Sequence, residues 1–64
     1  MAQPFKAKTN KETWLMRIGG ESVWLKSGQA LTVYGEDSGW GAAKAVIDGE
    51  TYHGSVDVDD YDKV

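Results

Sequence analysis

Apolar and polar positions alternate along most of this chain, in short runs that stop at glycines or at Asp-Gly. A period of two marks a strand with one buried face. Phe5-Lys6-Ala7-Lys8 alternates in this way. Pro4 suits the start of an edge strand, having no N–H to give to a ladder. Met1 to Pro4 reads as a loose terminus, and Thr9 to Glu12 as a turn. Thr13 to Ile18 and Val23 to Leu25 flank Gly19-Gly20, a hairpin signal because glycine takes positive φ at little cost. β-Branched and aromatic residues favour strand over helix from Lys11 to Ile18. After a turn at Lys26 to Gln29, Ala30 to Tyr34 puts Leu31 and Val33 on one face. Gly35 to Gly39 reads as a polar loop. Trp40 to Ile47 resumes a strand with Ala43, Ala45 and Ile47 on a shared face. Asp48-Gly49 is the strongest two-residue turn, Thr51 to Val58 is the return strand, and Tyr61 to Val64 offers a last short pairing.

Five or six short strands with regular turns predict an all-β fold, a small antiparallel barrel or tightly rolled sheet. Such closure also hides edge strands. At 64 residues the chain is one domain, 1-64. A domain this small buries only about 60% of the surface its unfolded chain exposes, so its stability is a few kcal/mol. It has no cysteine and one histidine, which excludes thiol chemistry and a Cys/His zinc site; no cofactor is expected. Three Trp, three Tyr and one Phe are available for an apolar core. No apolar run approaches the roughly 20 residues that cross a bilayer, and no basic-then-apolar leader is visible. The expectation is a soluble, cytoplasmic protein without a membrane role.

Charge divides the chain. Lys6, Lys8, Lys11, Arg17 and Lys26 dominate up to Lys26, whereas from Ser27 eight acids face only Lys44 and Lys63. An acidic half argues against nucleic acid as partner, since that affinity comes mainly from Lys and Arg. The Lys6, Lys8, Lys11 strip is too short to reverse this.

From Val23 to Tyr61 the chain resembles an SH3 domain. Val23 to Val33 resembles the diverging turn and the strand after it. Glu36-Asp37-Ser38-Gly39-Trp40 resembles the acidic loop before the ligand-binding Trp. Gly54-Ser55-Val56 resembles the stretch before the short 3₁₀ turn, and Tyr61 the Tyr after it. Asp57 stands where the family has Pro, and Phe5-Lys6-Ala7-Lys8-Thr9 lacks both groove tyrosines of the family's opening strand. The resemblance therefore implies the SH3-like barrel more directly than it implies recognition of polyproline ligands, which needs several groove aromatics.

Trp40, between Gly39 and Gly41, either anchors a partner or caps one end of the core. Tyr34 and Tyr61 are candidate neighbours. Glu36, Asp37 and Asp57 would form a negative rim that favours a protein or peptide with basic residues; the plain alternative is a solvated loop. Asp57, Asp59, Asp60 and Asp62 admit three readings: a hard-cation site, a decoy for a nucleic-acid-binding surface, or a solvated tail. Their spacing lacks the Gly and distal Glu of an EF-hand. Trp14 and Trp24, with Leu15, Met16, Ile18, Val23 and Leu25, read as core or hairpin cover; if exposed they imply an interface or weak self-association. His53 is the one base that titrates near neutrality, and Ser22, Ser27, Ser38 and Ser55 lie in no nucleophile-elbow pattern. The reading is a non-catalytic protein-interaction module, a small regulator or inhibitor docking through Trp40. The runner-up is an acidic decoy acting through the C-terminal aspartates.

Overall fold

The computed structural model describes residues 3–64. Of the terminus expected to be loose, Met1 and Ala2 lie outside the described residues, and Gln3 and Pro4 are exposed. The architecture is all-β, with seven strands among the described residues where five or six were expected. The strands are β1 (Phe5–Thr9), β2 (Thr13–Leu15), β3 (Val23–Leu25), β4 (Ala30–Asp37), β5 (Trp40–Ile47), β6 (Glu50–Asp57) and β7 (Tyr61–Lys63), with a 3₁₀ turn, Val58–Asp60, ahead of β7. Five strands form an antiparallel sheet in the order β6-β5-β4-β1-β7, and β2-β3 is a separate hairpin. The hairpin is tied to the sheet at one point. Met16 and Ser55 exchange two backbone hydrogen bonds, of 2.8 and 2.9 Å.

That tie needs Gly54. A Cβ there would lie 3.0 Å from the Leu15 Cγ and 3.1 Å from the Met16 carbonyl carbon, so no larger residue lets β2 cross β6 this closely. At the other end of β1, Thr9 fastens the turn before β4. Its hydroxyl donates to the Lys26 carbonyl (2.6 Å) and accepts the Gln29 N–H (2.8 Å).

Both long hairpins turn on two residues with positive φ, Asp48 (51°) with Gly49 (83°) and Ser38 (54°) with Gly39 (85°). Such turns match the right-handed twist of their strands. The polar loop expected over Gly35 to Gly39 is therefore a correction: β4 continues through Gly35, Glu36 and Asp37, and only Ser38 and Gly39 turn. A register shift between Val33 and Gly35 lets the ladder to β5 resume, with Glu36 opposite Gly41 and Asp37 opposite Trp40. Similarly, β2 ends at Leu15, and Val58 belongs to the 3₁₀ turn.

The core is aliphatic. Leu15, Leu25, Val33 and Val56 are fully buried, with Ala7, Leu31, Ala43, Ala45 and Tyr61 beside them. The inward residues of β5 (Ala43, Ala45) are small, which lets the hairpin's leucines fill the space. Trp14 and Trp24, read as core or hairpin cover, and Trp40, read as a partner anchor or a cap on the core, all occupy outward strand positions and stay about half exposed. Trp14 and Trp24 face each other across β2-β3 edge to face, with centroids 4.8 Å apart. Met16 and Ile18, expected as cover, are exposed, Ile18 completely.

Candidate functional site

The alternation of β5 sends Trp40, Ala42, Lys44 and Val46 outward and Gly41, Ala43 and Ala45 inward. Trp40 stands opposite Asp37 on β4 and opposite Asp57 on β6. The three residues thus form one row across three strands, with neighbouring Cβ atoms about 5 Å apart. An indole that is 45% exposed lies between two carboxylates.

Trp40 also divides two open hollows. The first, of about 340 Å³, is lined by Gly35, Glu36, Asp37, Ala42 and Ser55. The second, of about 270 Å³, is lined by Met16, Arg17, Ile18 and Ser55. One side of the indole is acidic and the other largely apolar. The Met16–Ser55 bridge creates this second side, because it brings the hairpin tip against Trp40. Arg17 is held there by its guanidinium, 5.5 Å from the Tyr52 ring centroid.

The carboxylates are positioned, not merely near. Glu36 accepts a hydrogen bond from the Tyr61 hydroxyl. Tyr61 is buried, 5% exposed, and its ring lies against Gly41, where a Cβ would collide with the ring carbon Cζ at 2.9 Å. Burial, the Glu36 hydrogen bond and the Glu36 charge all raise the Tyr61 pKa well above its ordinary value of about 10. Asp57 accepts the Asp59 N–H at 2.9 Å through one carboxylate oxygen, fixing the start of the 3₁₀ turn.

Of the six residues anticipated for the site, Trp40, Glu36, Asp37 and Asp57 come together. Tyr61 lies beneath them as a support for Glu36, with little surface of its own. Tyr34 is exposed at the β4 bulge and lines neither hollow beside Trp40. Met16, Arg17, Ile18, Ala42 and Ser55 were not anticipated. For β5 and β6, strand alternation places Ala42 and Ser55 on the Trp40 face, whereas a contact from the hairpin has no local signal.

The remaining tail aspartates are partly engaged inside the fold. Asp60 accepts the Thr13 hydroxyl at 2.5 Å and pairs with Lys11 at 3.6 Å. Asp62 accepts from the Asn10 amide at 3.4 Å. Among the described residues no three His, Asp or Glu side chains converge as a metal site. His53 is exposed on β6 opposite Lys44. No helix among the described residues is long and apolar enough to cross a membrane. No protein-family model, curated protein or solved structure matches this chain.

Chemically, the row suits a cation. The face of an indole attracts ammonium and guanidinium groups, and two flanking carboxylates accept their N–H donors. An adjoining apolar hollow takes a neighbouring aliphatic side chain.

Proposed function

We propose that this chain is a small SH3-like barrel acting as a non-catalytic, cytoplasmic protein-interaction module that grips a basic segment of a partner protein over Trp40. The barrel reading draws support from the pairing of β1 with β7, the 3₁₀ turn ahead of β7, and the Met16–Ser55 bridge that lays the hairpin on β6. The observation that carries the functional reading is the row Asp37–Trp40–Asp57, an exposed indole between two carboxylates and two hollows. Exposed aromatics beside a shallow pocket are the usual anchors of protein interfaces. The rim charges speed encounter and select a basic partner.

The acidic-decoy alternative draws less support. Asp60 and Asp62 each use a carboxylate oxygen inside the fold. A decoy would also be expected to present its charges free.

The three tryptophans make the test direct, because each indole N–H gives its own NMR resonance. Titration with a short arginine-containing peptide is expected to move the Trp40 indole signal and leave those of Trp14 and Trp24 in place. Trp40→Ala is expected to abolish the remaining backbone shifts while preserving the dispersed spectrum of a folded chain. Peptide shifts of equal size in the wild type and in Trp40→Ala would overturn the proposal.

A further inference from the structure

The outer face of β5 carries a second pole. Four residues along the strand from Trp40, Lys44 projects to the same side, about 13 Å away at 3.3 Å per residue. Lys44 pairs with Thr32 on β4, and Thr32 pairs with Lys6 on β1. The two lysines therefore flank one hydroxyl, with backbones roughly 10 Å apart across two strand spacings. They border a hollow of about 200 Å³ lined with Ala30, Leu31, Thr32 and Val46. His53 stands opposite Lys44 on the other side. Neither lysine has a carboxylate within 4 Å among the described residues, where Lys11–Asp60 is the salt bridge formed. Two free ammoniums in one row of a chain with net charge −3 are well placed for an anion.

Ala42 lies midway between the poles, with Ser55 opposite it. Both are small and leave room over the strand. An extended peptide has the same rise as β5 and shows every second side chain to one face. Its residues i, i+2 and i+4 would meet Trp40, Ala42 and Lys44 in step.

Building on the proposed function, we infer that the partner segment is an extended peptide with a basic residue and an acidic residue four positions apart and a small or aliphatic residue between them. The basic side chain lies on Trp40 between Asp37 and Asp57. The middle side chain sits above Ala42 and Ser55. The acidic side chain is taken by Lys44 and Lys6 over Thr32. The module thus reads a charge pattern of fixed length rather than basic charge alone. Recognition by both poles also explains how a chain of this net charge could avoid every basic surface it meets, since a purely basic segment is repelled at the Lys44 end.

The test uses synthetic twelve-residue peptides with the core Arg-Ala-Leu-Ala-Glu, Arg-Ala-Leu-Ala-Lys or Arg-Ala-Glu-Ala-Leu, titrated into the full chain by NMR at fixed ionic strength. The wild type is expected to prefer the first over the second by about fivefold, the worth of one exposed charge pair set against one repulsion. The third, with the acid two positions early, is expected to bind less tightly than the first. Lys44→Glu and, separately, Lys6→Glu are expected to shrink or invert the preference between the first two. Because this is a ratio within one variant, any loss of folded protein cancels. Equal binding of the first two peptides by the wild type, or a ratio untouched by both charge reversals, overturns the two-pole ligand while leaving the Trp40 site standing. Binding unaffected by Trp40→Ala, or none by any peptide at millimolar concentration, overturns the Trp40 site and this inference with it.

Discussion

Replacing Gly54 with alanine probes the contact on which both the fold and the candidate site depend. Gly54 lies on the inner side of β6 where β2 crosses it, and its backbone neighbours Ser55, which holds Met16 by two hydrogen bonds. The atoms that a Cβ would strike are the Met16 carbonyl and the Leu15 Cγ, at 3.1 Å for the carbonyl carbon and 3.0 Å for Cγ. The first is backbone and the second belongs to a fully buried side chain, so neither can swing away. Overpacking of this kind costs about 1–3 kcal/mol. Loss of the two bridging hydrogen bonds adds about 1 kcal/mol each if the strands part. The lower entropy of an unfolded chain with alanine returns about 0.4–1 kcal/mol. With the bridge broken the net expectation is about 2–4 kcal/mol of destabilisation, a large share of what a domain this size has. In melting temperature that is a drop of roughly 10–30 °C. Gly35→Ala is the matched control, since a Cβ there meets nothing within 4 Å; it is expected to stay within about 0.5 kcal/mol of the wild type. Urea and thermal unfolding of the three proteins decide the matter. A Gly54→Ala variant as stable as Gly35→Ala would refute the reasoning that close backbone crossing fixes this glycine.

The other expectations concern the supports of the site. Tyr61→Phe removes the hydroxyl that donates to Glu36, and because Glu36 is exposed the cost is about 1 kcal/mol, readable by urea unfolding. The Tyr61 pKa is raised by burial first and by Glu36 second, so the native state keeps this proton when the unfolded state gives it up. Its contribution to stability is therefore fully present below pH about 10 and is lost as pH climbs beyond that value, a slope that Tyr61→Phe should remove from an alkaline unfolding series. Asp60→Ala leaves the Thr13 hydroxyl, on a residue only 8% exposed, without its acceptor and is expected to cost about 1–2 kcal/mol, whereas Lys11→Ala breaks only an exposed pair and should cost under about 0.5 kcal/mol. Thermal melts of the two variants side by side check that ordering.

The elements most legible in the chain were those specified by local chemistry. Asp48-Gly49 turns because both residues tolerate positive φ, and the flanking alternation sets which residues of β5 face inward. The hairpin followed from two runs around Gly19-Gly20, across which Trp14 and Trp24 face each other, and the last pairing from Tyr61 and Val64 at the end of an acidic tail, where Tyr61 to Lys63 joins β1. The extension of β4 was not legible. Gly35-Glu36-Asp37 has the composition of a loop, and only pairing with β5 beyond a bulge makes it strand. That same extension brings Asp37 level with Trp40, so the rim was anticipated by residue but not by its geometry. The aromatic content was a poorer guide to the core: strand parity turned Trp14 and Trp24 outward as cover of the hairpin, as it did Trp40, and left burial mainly to smaller aliphatic side chains. Met16, Arg17 and Ile18 reached Trp40 only through a bridge between residues far apart in sequence, which no local pattern encodes.

The most direct measurement is a double-mutant cycle between Asp37 and the arginine of the bound peptide, with Asp37→Asn in the protein and Arg→Ala in the ligand. Asp37 is exposed and on the Trp40 row, and its change to Asn keeps the side chain's shape. A guanidinium lying on Trp40 beside Asp37 is expected to give a coupling of about 0.5–1 kcal/mol, falling as salt is added. A coupling of zero, with Trp40→Ala binding the peptide as the wild type does, would contradict a cation-reading face at this end of β5.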